Sequence, residues 1–286
     1  MTTVTAGSSG QPAIPSVGGS LSSPGGRAAI AGRTLRHDRW ALQPAISAGV
    51  LASFVAYSTW AAFKNADYFT PPYLSPFYSP CVASICGHAR AGGATVHAPT
   101  LGLFGPWWVI SPAIIVLIVP LGFRLTCYYY RKAYYRSIWL SPPACAVGEP
   151  HARYSGETRF PLLLQNSHRW FFYLGLLFNG ILTWDAIEAF HFPAGWGHMG
   201  FGTLMLLLNA FYLWGYSLSC HSCRHIIGGR LKHFSRHPIR FRLWGAISKL
   251  NSRHAQIAWV SLVFVALTDL YIRLVASGWV TDPRFF

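Results

Sequence analysis

Five stretches of this chain, residues 41 to 63, 103 to 126, 169 to 191, 197 to 219 and 255 to 280, are apolar over the roughly 20 residues that a helix needs to cross a hydrocarbon core. In lipid no water satisfies a backbone N–H or C=O, so segments of this kind must close their own hydrogen bonds as helices. The fold class expected is an all-α membrane protein with five transmembrane helices. Pro106, Pro112 and Pro120 fall within the second stretch and are expected to kink it without forbidding it, because neighbouring helices can satisfy the freed carbonyls.

Composition agrees: 52% of the residues are hydrophobic and only 11% are charged, which is too apolar for an ordinary soluble domain. Residues 1–33 are the exception. They are Gly, Ser, Pro and Ala with almost no large apolar side chains, and a disordered N-terminal tail is expected there. The tail lacks the charged start and apolar core of a secretory signal, so the first helix is expected to enter the membrane uncleaved. Residues 34–286 then form one anchor domain, with an outer loop near 64–100 and inner loops near 127–168 and 220–254.

A net charge of +15 raises the question of nucleic acid, and the position of the charges answers it. With the N-terminus inside, the tail, the 124–169 segment and the 224–253 segment carry 19 of the 23 Lys and Arg residues, leaving Lys64, Arg90, Arg273 and Arg284 outside. That asymmetry is the positive-inside pattern, so the orientation expected is N-in, C-out, and no nucleic-acid partner is needed to explain the charge.

Orientation sorts the cysteines. Cys81 and Cys86 fall in the outer loop, where a structural disulfide can persist, whereas Cys127, Cys145, Cys220 and Cys223 fall at the inner face, where disulfides do not. The motif "YSLSCHSCRHIIGG" at residues 216–229 adds His221 and His225 to this level, while His168 opens the third stretch and His254 the fifth. Helical spacing places Cys220 and Cys223 on one face and His221 and His225 on another, so the motif is expected to supply part of a centre shared between helices. The candidate metal ligands are Cys127, Cys145, His168, Cys220, His221, Cys223 and His225, with His254 in reserve. Two Cys with two His fit either a structural zinc site or a Rieske-type [2Fe-2S] centre. Haem b, held by one or two axial histidines, would leave the cysteines unexplained. Against all three stands the plain alternative of buried cysteines acting as small hydrophobes and histidines facing headgroups.

The stretches "CYYYRKAYYRSIWLSPPACAVGEPHARYSGETRFPLLLQNSHR" and "SCHSCRHIIGGRLKHFSRHP" resemble the membrane-anchor subunit of actinobacterial succinate dehydrogenase, of the respiratory complex II kind. The resemblance covers most of residues 40–286. It implies that the chain docks a flavoprotein and an iron–sulfur subunit on the cytoplasmic face of the plasma membrane and passes electrons to a membrane quinone, menaquinone or ubiquinone. Succinate would be oxidised on a partner subunit. Anchors that carry haem b generally hold it with histidines within the helices, a pattern missing here, so the [2Fe-2S] centre is favoured. The inner basic residues would also meet an acidic partner and anionic membrane lipid.

A quinone head needs hydrogen-bond donors in an apolar slot. Tyr128, Arg131, Arg169, Trp170, Tyr216 and His254 lie at the right level, although interfacial aromatics and arginines are normal at any membrane surface. Asp269 with Arg273, and Asp185 with Glu188, are expected near the outer interface, as surface pairs or as a proton path.

Overall fold

The computed structural model describes residues 36–148, residue 150 and residues 159–286, so the tail expected over 1–33 lies outside the described residues. Nine α-helices run along the described chain: α1 Leu42–Lys64, α2 Ala113–Val116, α3 Ile118–Thr126, α4 Tyr128–Ser137, α5 Arg159–Glu188, α6 Phe201–Leu218, α7 His221–Gly228, α8 Pro238–Asn251 and α9 His254–Ala276. Four of them, over Leu42–Lys64, Leu162–Glu188, Phe201–Leu218 and His254–Ala276, are long and apolar enough to cross a membrane. A fifth crossing is counted only if α2–α3 and α4 form one span, bent by 76°.

The second stretch departs most from expectation. Residues 101–112 are not helical, because Pro106 and Pro112 withhold donors and Phe104 instead pairs with the outer loop, donating to Val82 O and accepting from Ser84 N at 2.9 Å each. The helix begins after Pro112, and residues 113–126 span only about 21 Å at 1.5 Å per residue. It stops at Cys127, whose extended backbone (φ −65°, ψ 133°) turns the chain into α4. The third helix differs the other way. It starts at Arg159 rather than near 169, which carries His168 inside the helix instead of to its first turn.

The chain is also not purely helical. Three short antiparallel hairpins, β1 (Phe69–Thr70) with β2 (Tyr73–Leu74), β3 (Ala89–Ala91) with β4 (Ala94–Val96) and β5 (His191–Phe192) with β6 (Gly195–Trp196), cap the end of the bundle opposite Cys127. Gly92 and Gly93, at φ +54° and +84°, make the two-residue turn between β3 and β4 that other residues adopt with strain. The expected Cys81–Cys86 disulfide is formed in this cap.

The cap is fixed to the bundle by buried polar contacts. Asp269 and Arg273, expected at the interface, are buried instead (0% and 3% exposed) and pair at 2.8 Å. Ser75 and Tyr57 donate to the Asp269 carboxylate, and Arg273 donates to Ala66 O and Ala61 O at 2.7 and 3.0 Å. Asp185 likewise accepts from Ser79 of the cap rather than facing the surface with Glu188. The C-terminal segment closes the same end, with Asp282 accepting from Tyr73 Oη at 2.7 Å and Gly202 N at 2.9 Å.

A Cβ on Gly202 would stand 2.6 Å from the ring of Tyr73, which is buried and tethered through its hydroxyl. Gly202→Ala is therefore expected to destabilise the anchor by about 1–3 kcal/mol, read as a lower unfolding temperature of the purified protein in detergent. An unchanged melting temperature would show that the ring moves freely.

Candidate functional site

At the other end of the bundle two helices stop in the same way. Cys127 follows α3 and Cys220 follows α6, with backbone angles of −65°, 133° and −67°, 145°, and each caps the next helix, α4 or α7. Both thiols thus sit at helix N-termini, where the exposed N–H groups favour negative charge. Cys220 Sγ accepts from Ser222 N at 3.4 Å. This break alters the expected spacing: Cys220 does not continue the helix that bears Cys223, so the two cysteines do not share a face.

Two histidines meet these thiols. His168 Nε2 lies 3.1 Å from Cys220 Sγ, and His254 Nε2 lies 3.6 Å from Cys127 Sγ. The opposite ring nitrogens are held by hydroxyls, His168 Nδ1 by Thr126 Oγ1 at 2.9 Å and His254 Nδ1 by Ser219 Oγ at 2.6 Å. Each hydroxyl has one proton, and backbone carbonyls accept it: Gly122 O from Thr126 at 2.7 Å and Tyr216 O from Ser219 at 3.0 Å. The hydroxyls therefore accept from Nδ1–H, and the network assigns both imidazoles the tautomer whose Nε2 lone pair faces sulfur. That is the metal-ligating form, with the other nitrogen fixed by a supporting hydrogen bond. Phe123 stacks on His168 (5.0 Å between centroids) and Tyr216 on His254 (5.1 Å).

The four side chains are buried, and all four line a cavity of about 650 Å³. His221 lines it too, at its exposed side, its ring stacked on Tyr129 at 6.0 Å. Burial pushes the Cys220 thiol up to about 12, against hydrogen bonding from the Ser222 backbone. Burial, with the Arg224 charge beside it, lowers the His221 imidazole, which favours its neutral form.

The other expected ligands are elsewhere. Cys223 is buried in the same apolar cluster as Cys127 and Cys220 but does not line the cavity, and its thiol is raised by burial. His225 is exposed at the cavity rim, 3.1 Å from Arg169 Nη2. Cys145 is exposed beyond α4, where its carbonyl accepts from Arg36 at 2.6 Å, because the proline-rich loop carries it away from the bundle. Among the described residues no group of three or more His, Cys, Asp or Glu converges to hold a metal ion, so the single-ion zinc cage is not formed. The donors stand as two His–Cys pairs, His168 with Cys220 and His254 with Cys127.

Of the quinone candidates, Tyr128, Arg169 and His254 line the cavity. Arg131 is buried and donates to Gln165 Oε1 at 2.9 Å, behind the cavity wall. Trp170 is 73% exposed, because two residues along a helix rotate it away from His168 to the opposite face. Tyr216 is sealed behind His254. Thr126, Ser219, Gln165 and Trp244 belong to the site and carry no sequence pattern of their own; the adjacency of Thr126 to Cys127 and of Ser219 to Cys220 was the available signal.

Burial makes a testable distinction among the thiols. At pH 8 Cys145 of the metal-free protein is expected to alkylate readily and Cys220 and Cys223 to stay unlabelled until denaturation, as mass spectrometry of the peptides would report. Equal labelling rates would mean that the layer is open.

Against known families, residues 42–278 match the model described as actinobacterial succinate dehydrogenase subunit SdhC. Among solved structures the chain is similar to one from the Mycobacterium smegmatis Sdh1 complex in the apo form, with 52% identity and a TM-score of 0.77, covering 88% of this chain and 94% of that one. No curated protein matches.

Proposed function

Because the chain belongs to the actinobacterial succinate dehydrogenase SdhC family, we propose that it anchors a flavoprotein subunit and an iron–sulfur subunit to the plasma membrane and delivers their electrons to quinone through the Cys/His layer. Five crossings, the bent α2–α4 segment included, with the N-terminus inside, put that layer at the cytoplasmic face. The positive-inside bias of 19 among 23 basic residues supports this orientation and offers acidic partners and anionic lipid a matching surface.

The observation that carries the reading is the pairing of two Nε2 lone pairs with two thiol sulfurs in one buried layer. Cys127, Cys220, His168 and His254 would hold a Rieske-type [2Fe-2S] cluster. Such a cluster supplies one-electron transfer at a potential raised by imidazole ligation. The chain's own residues do the rest. Thr126 and Ser219 orient the imidazoles, Phe123 and Tyr216 each cover a face, and the helix N-termini oppose the burial that holds the thiols protonated until ligation. The cavity would take the quinone head, with Tyr128, Arg169 and His221 able to donate to its oxygens as charge develops there. Nothing in the geometry favours haem b, since the Nε2 atoms of both buried imidazoles already face thiol sulfurs.

Spectroscopy of the purified complex tests the reading. A low-temperature paramagnetic signal of a reduced cluster, beyond those of the iron–sulfur subunit, is expected to accompany the anchor. An anchor that contains only zinc, or that shows a haem absorbance band, would overturn it.

A further inference from the structure

Arg124, in the last turn of α3, carries a charge into the bundle interior with 8% of its surface exposed. Among the described residues it has no carboxylate partner. Asp38, Asp67, Glu188 and Asp269 lie beside Arg36, Lys64, His191 and Arg273, Asp185 accepts from Ser79, and Asp282 from Tyr73 and Tyr271. The guanidinium uses only Nη1 for hydrogen bonds, to Tyr130 Oη at 2.6 Å and Ser261 Oγ at 3.1 Å, and otherwise lies over the rings of Tyr216 at 4.9 Å and Tyr130 at 5.6 Å.

An arginine cannot shed its proton, so this is a fixed, desolvated cation offset, among the described residues, by hydroxyls and two π faces. Its neighbour across Tyr216 is the site. The Tyr216 ring meets both the guanidinium, at 4.9 Å, and the His254 imidazole, at 5.1 Å, which puts the cation within about 10 Å of that imidazole. Cys127 follows it by three residues, past the end of the same helix. Negative charge gathers at this layer twice, when the thiols lose protons on ligation and again when an electron arrives.

We propose that Arg124 is the built-in counter-charge of the electron-carrying centre, stabilising its reduced state and so raising its potential. The role rests on the reading of the Cys/His layer given above. Arg124 itself exchanges neither proton nor electron: one electron enters the centre from the iron–sulfur subunit and leaves to quinone, and the cation acts on the equilibrium between the two states of the centre.

Three variants of the assembled complex test this by redox titration of the reduced centre's paramagnetic signal. Arg124→Gln is expected to lower the reduced-to-oxidised ratio at fixed poise by about tenfold, which is about 59 mV for a one-electron couple. Arg124→Lys keeps the charge and is expected to stay within about twofold. Ser261→Asp keeps Arg124 but places a carboxylate beside it, and is expected to lower the ratio in the same direction; it provides the measurement if Arg124→Gln fails to assemble. A signal with the same potential in Arg124→Gln, or in Ser261→Asp, overturns the role and leaves the centre standing. A tenfold drop in Arg124→Lys as well would assign the effect to hydrogen-bond geometry and overturn the charge role. Absence of any such signal in the unsubstituted complex overturns the centre, and this role with it.

Discussion

Replacing His168 and His254 together by alanine is expected to abolish succinate-driven quinone reduction, by at least about a hundredfold, while the complex still assembles. The two imidazoles come from different helices, yet each is held by a hydroxyl at a helix end and turns its free lone pair to a thiol. Their removal deletes both nitrogen donors and leaves the apolar packing of Phe123 and Tyr216 largely in place. Succinate oxidation with a soluble artificial acceptor should persist, because that chemistry is assigned to a partner subunit. Quinone reduction that survived the double substitution would sink the proposed route. Thr126→Val and Ser219→Ala provide a graded version: each frees a ring to rotate, and losses of about 10- to 100-fold are expected for supporting partners of this kind.

Asp269→Ala should be the most disruptive single change to stability. It strands the buried Arg273 guanidinium without its carboxylate, and removal of one partner of a buried pair costs about 3–5 kcal/mol. The same aspartate accepts from Ser75 of the cap and Tyr57 of α1, so three elements lose their common anchor together. The expected result is failure to recover folded anchor in detergent, or a strongly lowered unfolding temperature. A double change to Asp269→Leu and Arg273→Met is expected to recover part of the loss, because no charge is then left buried. Normal stability of Asp269→Ala would mean that the guanidinium finds water, contrary to its burial.

The parts of the fold legible in the sequence are those governed by local chemistry. Hydropathy alone marks four helices to within several residues at most of their ends, since each is long enough to be named by composition. The second stretch misled for a reason also present in the sequence: Pro106 and Pro112 remove donors, and the residues between them find partners in the cap instead. The Cys81–Cys86 bridge followed from the placement of both cysteines in the outer loop.

The site was legible as a level and illegible as a set. Matching helix ends brought Cys127, His168, Cys220 and His254 to one depth, and the two cysteines of "CHSC" looked alike. Both are buried in one apolar cluster, and only the extended backbone at Cys220 separates them, placing Cys220 on the cavity wall and leaving Cys223 off it. His225 and Trp170 sat at the right depth but on outward faces.

The sequence by itself therefore determined which segments are apolar enough to be helices, the bias of charge toward one side and the stock of thiols and imidazoles there. These depend on transfer free energies summed over adjacent residues. Tertiary structure decided which donors meet, which hydroxyl fixes each ring and that Arg124 and the Asp269–Arg273 pair are buried. Those outcomes depend on helix rotation and on where a helix breaks, and both are set by packing between segments far apart in the chain.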